Sequence, residues 1–453
     1  MSDAWTQLVA RALFPLHERL KGHASVARRR ALEASQWWPR ERLQSYQLER
    51  LRAFIEHLAQ RVPYYRETFM QRGLRAQDVL TLADLARFPF LTKAAIRANT
   101  EKLRAEGAGP LKRYNTGGSS GEPLIFFMGK DRIAHDVAAK WRATRWWGVD
   151  IGDRELVVWG SPVELGTQDR LRGLRDRLFR SELLPAFEMS QANLDRFVER
   201  IRTVRPAMLF GYPSSLSLIA AHAEKRGERL DGLGIRVAFV TSERLYDHQR
   251  AAIERVFGCR VANGYGGRDA GFIAHECPAG GLHISAEDIL VEIVDANGAV
   301  VPPGSAGEIV VTHLATADFP FLRYRTGDIG VLSGAACACG RGLPLLAEVQ
   351  GRSTDFVVAA DGTVMHGLAL IYVVRDLPGI ERFKIVQESL DRTRVLLVPG
   401  HGYTSDTAER IRAGLCERLG AGVSVDVEAV SEIPAEQSGK YRYVASRVAP
   451  VPQ

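Results

Sequence analysis

Residues 114–127 read YNTGGSSGEPLIFF, so that Thr116, Gly117, Gly118, Ser119, Ser120 and Gly121 stand in one short run. Glycines let a backbone approach a polyphosphate closely, and main-chain N–H groups with hydroxyls then wrap its oxygens. The GxxxxGK[ST] pattern of a P-loop is absent, and taken alone the run reads as a flexible turn between strands. Other segments join it in order along the chain. TSE at 241–243 follows an apolar run, as a strand-end loop does. NGYGGRDAG at 263–271 sets Tyr265 beside Gly266 and then Asp269. An aromatic ring there can stack on a nucleobase, and a carboxylate can hold a metal that bridges phosphates. RYRTGD at 323–328 offers Asp328 as an acceptor for two ribose hydroxyls. GRSTDF at 351–356 supplies Arg352, and SGKYRYV at 438–444 supplies Lys440. Each piece has a bland reading as a surface turn, a core tyrosine or a solvated lysine. The ordered set is what carries information.

Four residues stand apart from that set. Cys277 and His283 form C-x5-H, and Cys337 and Cys339 form C-x-C further on. Three thiolates and an imidazole suit a closed tetrahedral zinc site. C-x-C is tighter than the usual C-x2-C, and the alternative is buried free thiols with His275 or His283 hydrogen-bonded in a turn. Cys259 and Cys416 lie in apolar surroundings and read as core; no cysteine sits with a His/Asp pair for nucleophilic work.

The elements that must position these groups follow from pattern. At 453 residues the chain exceeds one ordinary core and predicts two or three domains. Residues 1 to about 110 read as mostly helical: QSYQLERLRAFIEHLAQRV spaces Leu48, Leu51, Phe54, Ile55 and Leu58 by three and four. From Tyr114 the runs ELVVWG, AMLFGYP, RVAFVTSE and CRVANGYGG alternate with helical segments at 190–205 and 214–228, which predicts mixed α/β layers with parallel strands. After Gly280 the texture turns β-rich, with a hairpin signal at Asn297-Gly298. A last small α+β unit starts near Gly351, its strands FKIVQE, RVLLVPG and VSVDVEAV surrounding a helix at 406–419. The fold class expected is α/β, with a large N-terminal domain over 1–350 and a small C-terminal domain over 351–453.

Composition excludes other classes. A net charge of +7 is spread thinly, and no like-charge block marks a nucleic-acid footprint; ARRRA at 27–31 reads as a solvated helix face. No 18-residue apolar run spans a membrane and the N-terminus carries no signal-peptide pattern, so the expectation is a reduced, cytoplasmic protein. Only nine residues are lysine, which makes Lys440 more informative than an arginine would be.

The ordered set resembles the acyl-adenylate-forming enzymes, specifically the phenylacetate–CoA ligase branch and its capsule polysaccharide-associated relatives. The similarity runs along nearly the whole chain and includes RVPYYRETF, FPFLTKAAIR and GYPSSL, stretches without obvious chemistry. It implies the adenylate-forming enzyme fold with a mobile C-terminal domain that rotates between two steps. It also implies roles by position. Thr116 through Gly121 match the loop handling the ATP phosphates, and Ser242-Glu243 the turn beside the adenine. Tyr265-Gly266 match the stacking segment, and Asp269 falls where a magnesium-binding glutamate is usual. Asp328 matches the ribose-binding aspartate and Arg352 the arginine near ribose and phosphates. Lys440 matches the lysine that bridges carboxylate and phosphate during adenylation, making Lys440, Thr116 and Asp269 the catalytic set. YGxTE becomes Tyr265-Gly266-Gly267-Arg268-Asp269 here, with arginine for threonine and a shorter carboxylate. Similar EC…GLH and CxCGR stretches in these relatives favour structural zinc on Cys277, His283, Cys337 and Cys339.

The implied reaction is ATP-dependent activation of a small carboxylic acid as acyl-AMP, then transfer to a thiol acceptor, coenzyme A, with Mg2+ as cofactor and zinc structural. Transfer to an amine or carrier protein, and an inert nucleotide-binding protein, are the rival readings. No nucleic acid or membrane span is implied, and a homodimer is compatible with the resemblance.

Overall fold

The computed structural model describes residues 3–115, 124–159, 169–186, 191–352, 356–361, 364–366, 368–375, 377–433 and 443–448. They form two compact units, one of residues 1–326 and 330–349, the other of 327–329 and 350–453.

In the first unit an eleven-stranded sheet is the frame. The strands Glu155–Trp159, Ser181–Pro185, Met208–Gly211, Val237–Thr241 and Arg260–Gly267 run parallel. Their apolar runs are continuous because helices cover both faces of such a sheet; every residue of Val237–Thr241 is buried. The crossovers carry the helices Asp169–Leu178, Gln191–Val204, Pro213–Lys225 and Asp247–Phe257. The chain then turns back antiparallel into Gly271–Glu276. The β-rich region after Gly280 is therefore no separate layer: Leu282–Ile284, Leu345–Arg352, Phe321–Ser333, Ala306–His313 and Ile289–Val294 extend the same sheet to its far edge. The turn expected at Asn297-Gly298 forms, with Gly298 at φ +83 and its N–H donated to Asp295 O at 3.0 Å.

The N-terminal helices cover the β-rich half. On the Arg40–Arg61 helix, Leu51, Phe54, Ile55 and Leu58 are buried, with Leu43 and Gln47 beside them. They join one core with Tyr65, Phe69, Ile289, Phe321 and Tyr324. The 27–31 charge run departs from its reading as a solvated face. Arg28 donates to both oxygens of Asp288 at 3.1 Å, and Arg29 covers the Trp141 ring at 4.4 Å. The physical reason is a buried carboxylate: Asp288 is 2% exposed and needs compensating cations.

The second unit holds a four-stranded sheet of Ser424–Ala429, Arg392–Pro399, Ile380–Ser389 and Val444–Ser446. The helices Leu368–Arg375 and Ser405–Leu419 belong to the same unit, as does the Phe356–Val358/Val364–His366 pair. Cys259 is buried as expected, whereas Cys416 is half-buried, its thiol 3.4 Å from Val423 O.

Candidate active site

Strand register brings the first candidate residues together. Gly211 pairs with Val240, and Thr241 with Gly264. The residues that follow, Tyr212, Ser242-Glu243 and Tyr265-Gly266, thus emerge side by side at the C-terminal ends of adjacent parallel strands, where open α/β sheets bind ligands. Ser242 holds φ +72, a left-handed conformation uncommon for a residue with a side chain. Next to it, Glu243 accepts the N–H of Ser214 at 3.2 Å, at the start of the Pro213–Lys225 helix. That bond ties the 241–243 turn to the GYPSSL segment. Tyr212 is buried and stacks on Trp159 with centroids 4.3 Å apart.

Just beyond Tyr265 the chain reverses. A ladder irregularity falls between Tyr265 and Gly266, and Gly271 takes φ +90. A Cβ on Gly266 would come within 2.1 Å of Gly271 O, so the two strands cross too closely for any other residue. The turn presents Asp269, half-buried. Its Oδ2 accepts the phenol O–H of Tyr324 at 2.6 Å, and its Oδ1 accepts the N–H of Ala270 at 3.0 Å. Behind the turn, buried Arg132 donates to Asp269 O at 3.1 Å and to Arg268 O at 3.3 Å. The Arg268 guanidinium reaches Asn115 O at 3.3 Å. Asn115 ends the Lys112–Asn115 strand, so the end of that strand lies beside this turn.

Comparison with known proteins gives this arrangement a lineage. Residues 183–317 match the AMP-binding enzyme family, and residues 357–447 match the CapK C-terminal domain. Protein CapK of Staphylococcus aureus is 22% identical over 89% of each chain. The phenylacetate-coenzyme A ligase of Pseudomonas putida is 29% identical over 70% of this chain and 72% of its own. Among solved structures, 2-hydroxyisobutyryl-CoA ligase in the postadenylation state overlays with a TM-score of 0.73 at 21% identity, covering 91% of both chains; this likeness is one of fold. These matches support a phenylacetate–CoA ligase-like and CapK-like branch of the acyl-adenylate-forming superfamily as what this chain is similar to.

For an adenylate-forming chain the expected site is partly on view. Ser242, Glu243, Tyr265, Gly266 and Asp269 are gathered around the C-terminal ends of two central strands of the sheet. Asp328 lies on the Phe321–Ser333 strand, and Arg352 ends the Leu345–Arg352 strand, its side chain outside the described set. Thr116, Gly117, Gly118, Ser119, Ser120, Gly121 and Lys440 lie outside the described residues. Sequence reasoning passed over two residues that hold Asp269. Tyr324 stands inside the quoted RYRTGD stretch, a signal that was available; Arg132, on the Lys130–Trp146 helix, has no local signal.

The four cysteine and histidine donors also converge. The ligating atoms of Cys277, His283, Cys337 and Cys339 all lie within 4.8 Å of one another. Cys277 Sγ and Cys337 Sγ are 3.7 Å apart, and Cys339 Sγ is 3.2 Å from His283 Nε2. The other imidazole nitrogen, Nδ1, faces Leu343 O at 3.4 Å. A Cβ on Gly281 would fall 2.6 Å from Cys337 Sγ, so the turn after Cys277 is shaped around that thiol. Burial pushes His283 down to about 4, which keeps its imidazole neutral. His275 takes no part; its ring stacks on Phe272, and neither nitrogen has a hydrogen-bond partner among the described residues.

Proposed function

We propose that this chain uses ATP to convert a carboxylic acid into an acyl-AMP with release of pyrophosphate, then passes the acyl group to the thiol of coenzyme A. The observation that carries this reading is the turn at 265–271, where a half-buried carboxylate on a braced loop stands at the ends of the parallel strands. The relatives support it. One group is named for an acid and coenzyme A, and a solved 2-hydroxyisobutyryl-CoA ligase structure is in complex with 2-HIB-AMP and CoA.

A carboxylate is a poor electrophile, and adenylation requires it to meet another anion, the α-phosphate. Positive and hydrogen-bonding groups must therefore be concentrated where charge spreads in the transition state. In this reading Tyr265 flanks the base, and the N–H groups and hydroxyls of 116–121 wrap the phosphates. By the family pattern Asp328 would take the ribose hydroxyls, Arg352 would serve ribose and phosphate, and Lys440 would offset the charge of carboxylate and α-phosphate during adenylation. The Asp269 carboxylate suits a hard cation such as Mg2+, which takes one or two protein oxygens and completes its shell with phosphates and water. When bound, Mg2+ would neutralise phosphate charge. In this reading Tyr212, which stacks on Trp159, is one wall of the acyl pocket, and the lack of an obvious cationic group in the segments assigned to it suits an aromatic or aliphatic acid.

Incubating the protein with ATP, Mg2+, coenzyme A and a panel of carboxylic acids tests the reaction. The expected products, read by mass spectrometry, are AMP and an acyl-CoA for at least one acid. AMP with acyl transfer only to amines would replace coenzyme A as acceptor.

The quartet of Cys277, His283, Cys337 and Cys339 fits zinc on donor chemistry and spacing. A tetrahedron with bonds of about 2.3 Å has sulfur–sulfur edges of about 3.8 Å, close to the 3.7 Å between Cys277 and Cys337. Leu343 O stands where an outer-shell acceptor orients a ligating imidazole. Elemental analysis of the purified protein is expected to find about one equivalent of zinc. Cys337→Ser should lose it and lower the melting temperature; full zinc in that variant would refute the site.

A further inference from the structure

We propose that Tyr324 and Arg132 are positioning residues for the Asp269 carboxylate, with Tyr324 fixing its rotation and Arg132 fixing the backbone that carries it. The inference rests on the reading above in which Asp269 faces a nucleotide-bound Mg2+.

The two tethers are independent. Tyr324 is fully buried, its ring edge-on to Phe321 at 5.1 Å. Its backbone is held on both sides: Leu91 N donates to Arg323 O at 3.0 Å, and Arg325 N donates to Leu91 O at 2.9 Å. The phenol is thus a fixed donor aimed at Asp269 Oδ2. Arg132 comes from a different element and grips main chain rather than side chain. One arm of its fork takes Asp269 O and the other Arg268 O, while Nε donates to Asp136 at 3.0 Å. At 2% exposure this guanidinium is an expensive group to bury, and the carbonyls it satisfies belong to the turn that carries Asp269.

The shorter carboxylate gives the arrangement a purpose. Aspartate has one methylene fewer than the glutamate usual at this position in the family, so it has less reach to correct a poor approach. Mg2+ demands near-octahedral geometry, and ligating carboxylates are oriented by outer hydrogen bonds. Tyr324 takes one lone pair of Oδ2 and the Ala270 N–H one of Oδ1, which leaves each oxygen a further lone pair for a cation. Gly267 leaves room for the tucked carboxylate, since a Cβ there would lie 2.8 Å from Asp269 Oδ1.

The test measures ATP affinity by calorimetry, with Mg2+ and with EDTA, in wild type, Tyr324→Phe, Asp269→Asn and the double variant. Tyr324→Phe is expected to lose about tenfold of the Mg2+-linked gain in affinity and to keep its ATP affinity in EDTA. On the Asp269→Asn background the same substitution should change nothing further, because its effect passes through that carboxylate. A Tyr324→Phe gain equal to wild type, or an equal loss on both backgrounds, overturns the tether while leaving the function standing. A Mg2+-linked gain that survives Asp269→Asn removes Asp269 as the metal-facing group and overturns the proposal with it. Absence of any ATP binding overturns both the proposal and the reading beneath it. If Tyr324→Phe does not fold, Arg132→Lys, which keeps the charge but loses the fork, is expected to show the same loss, and an unchanged gain there overturns the proposal.

Discussion

Lys440→Ala is expected to slow acyl-AMP formation by about a hundredfold or more, while thioester formation from a supplied acyl-adenylate and coenzyme A stays within severalfold of wild type. The asymmetry follows from charge. Only the first step brings a carboxylate against a phosphate, and only there does an ammonium between the two offset their repulsion. Once the mixed anhydride has formed, the acyl carbon is already electrophilic and that cation has done its part. Lys440 belongs to the C-terminal segment, far along the chain from 116–121, as suits a group that is present for one step and withdrawn for the next. Single-turnover assays of each half-reaction give the comparison. Equal losses in both would assign Lys440 to general folding or nucleotide binding instead.

Asp288→Ala carries the largest expected effect on stability, a loss of about 3–5 kcal/mol. The carboxylate is 2% exposed and is reached by Arg28, Arg50 and His135, the last at 2.8 Å. Removing it strands the cations around a hole. Burial works against charge on Asp288, but His135, Arg50 and Arg28 outweigh it and hold the carboxyl well below the usual carboxylate range. A depressed folded pKa stabilises the protein above the unfolded value of about 3.9 and loses that stabilisation as pH falls through the folded value. Urea unfolding at neutral pH should show the loss, and below about pH 4 the gap between Asp288→Asn and wild type should narrow. A gap independent of pH would mean that Asp288 does not act through its charge.

The sequence made the front of the site visible and hid its supports. TSE, NGYGGRDAG and RYRTGD are local: each packs its residue types into a few positions, so spacing alone suggests what they can bind. The group of three cysteines and His283 was legible for a similar reason, since few arrangements make three thiolates and an imidazole useful together. Side-chain partnerships across the chain have no such trace. Arg132 precedes the turn it braces by more than a hundred positions, and nothing around RIAHD announces that it will find two carbonyls there. Arg28 misled for the opposite reason: in a run of arginines it looks solvated, and only the fold reveals Asp288 beneath it. The periodicity of 40–61 and the apolar runs of the parallel strands gave the layers correctly. Their fusion with the β-rich half into one sheet depends on the reversal at Gly271, which a local pattern does not encode.

Acid-dependent exchange of labelled pyrophosphate into ATP tests the central claim most directly, because it reports reversible opening of the triphosphate by a carboxylate and nothing downstream. With a broad set of aromatic and aliphatic acids, the prediction is exchange that requires both an acid and Mg2+ and that falls to background in Lys440→Ala. Purified, ATP-binding protein that catalyses no exchange with any of those acids would contradict it.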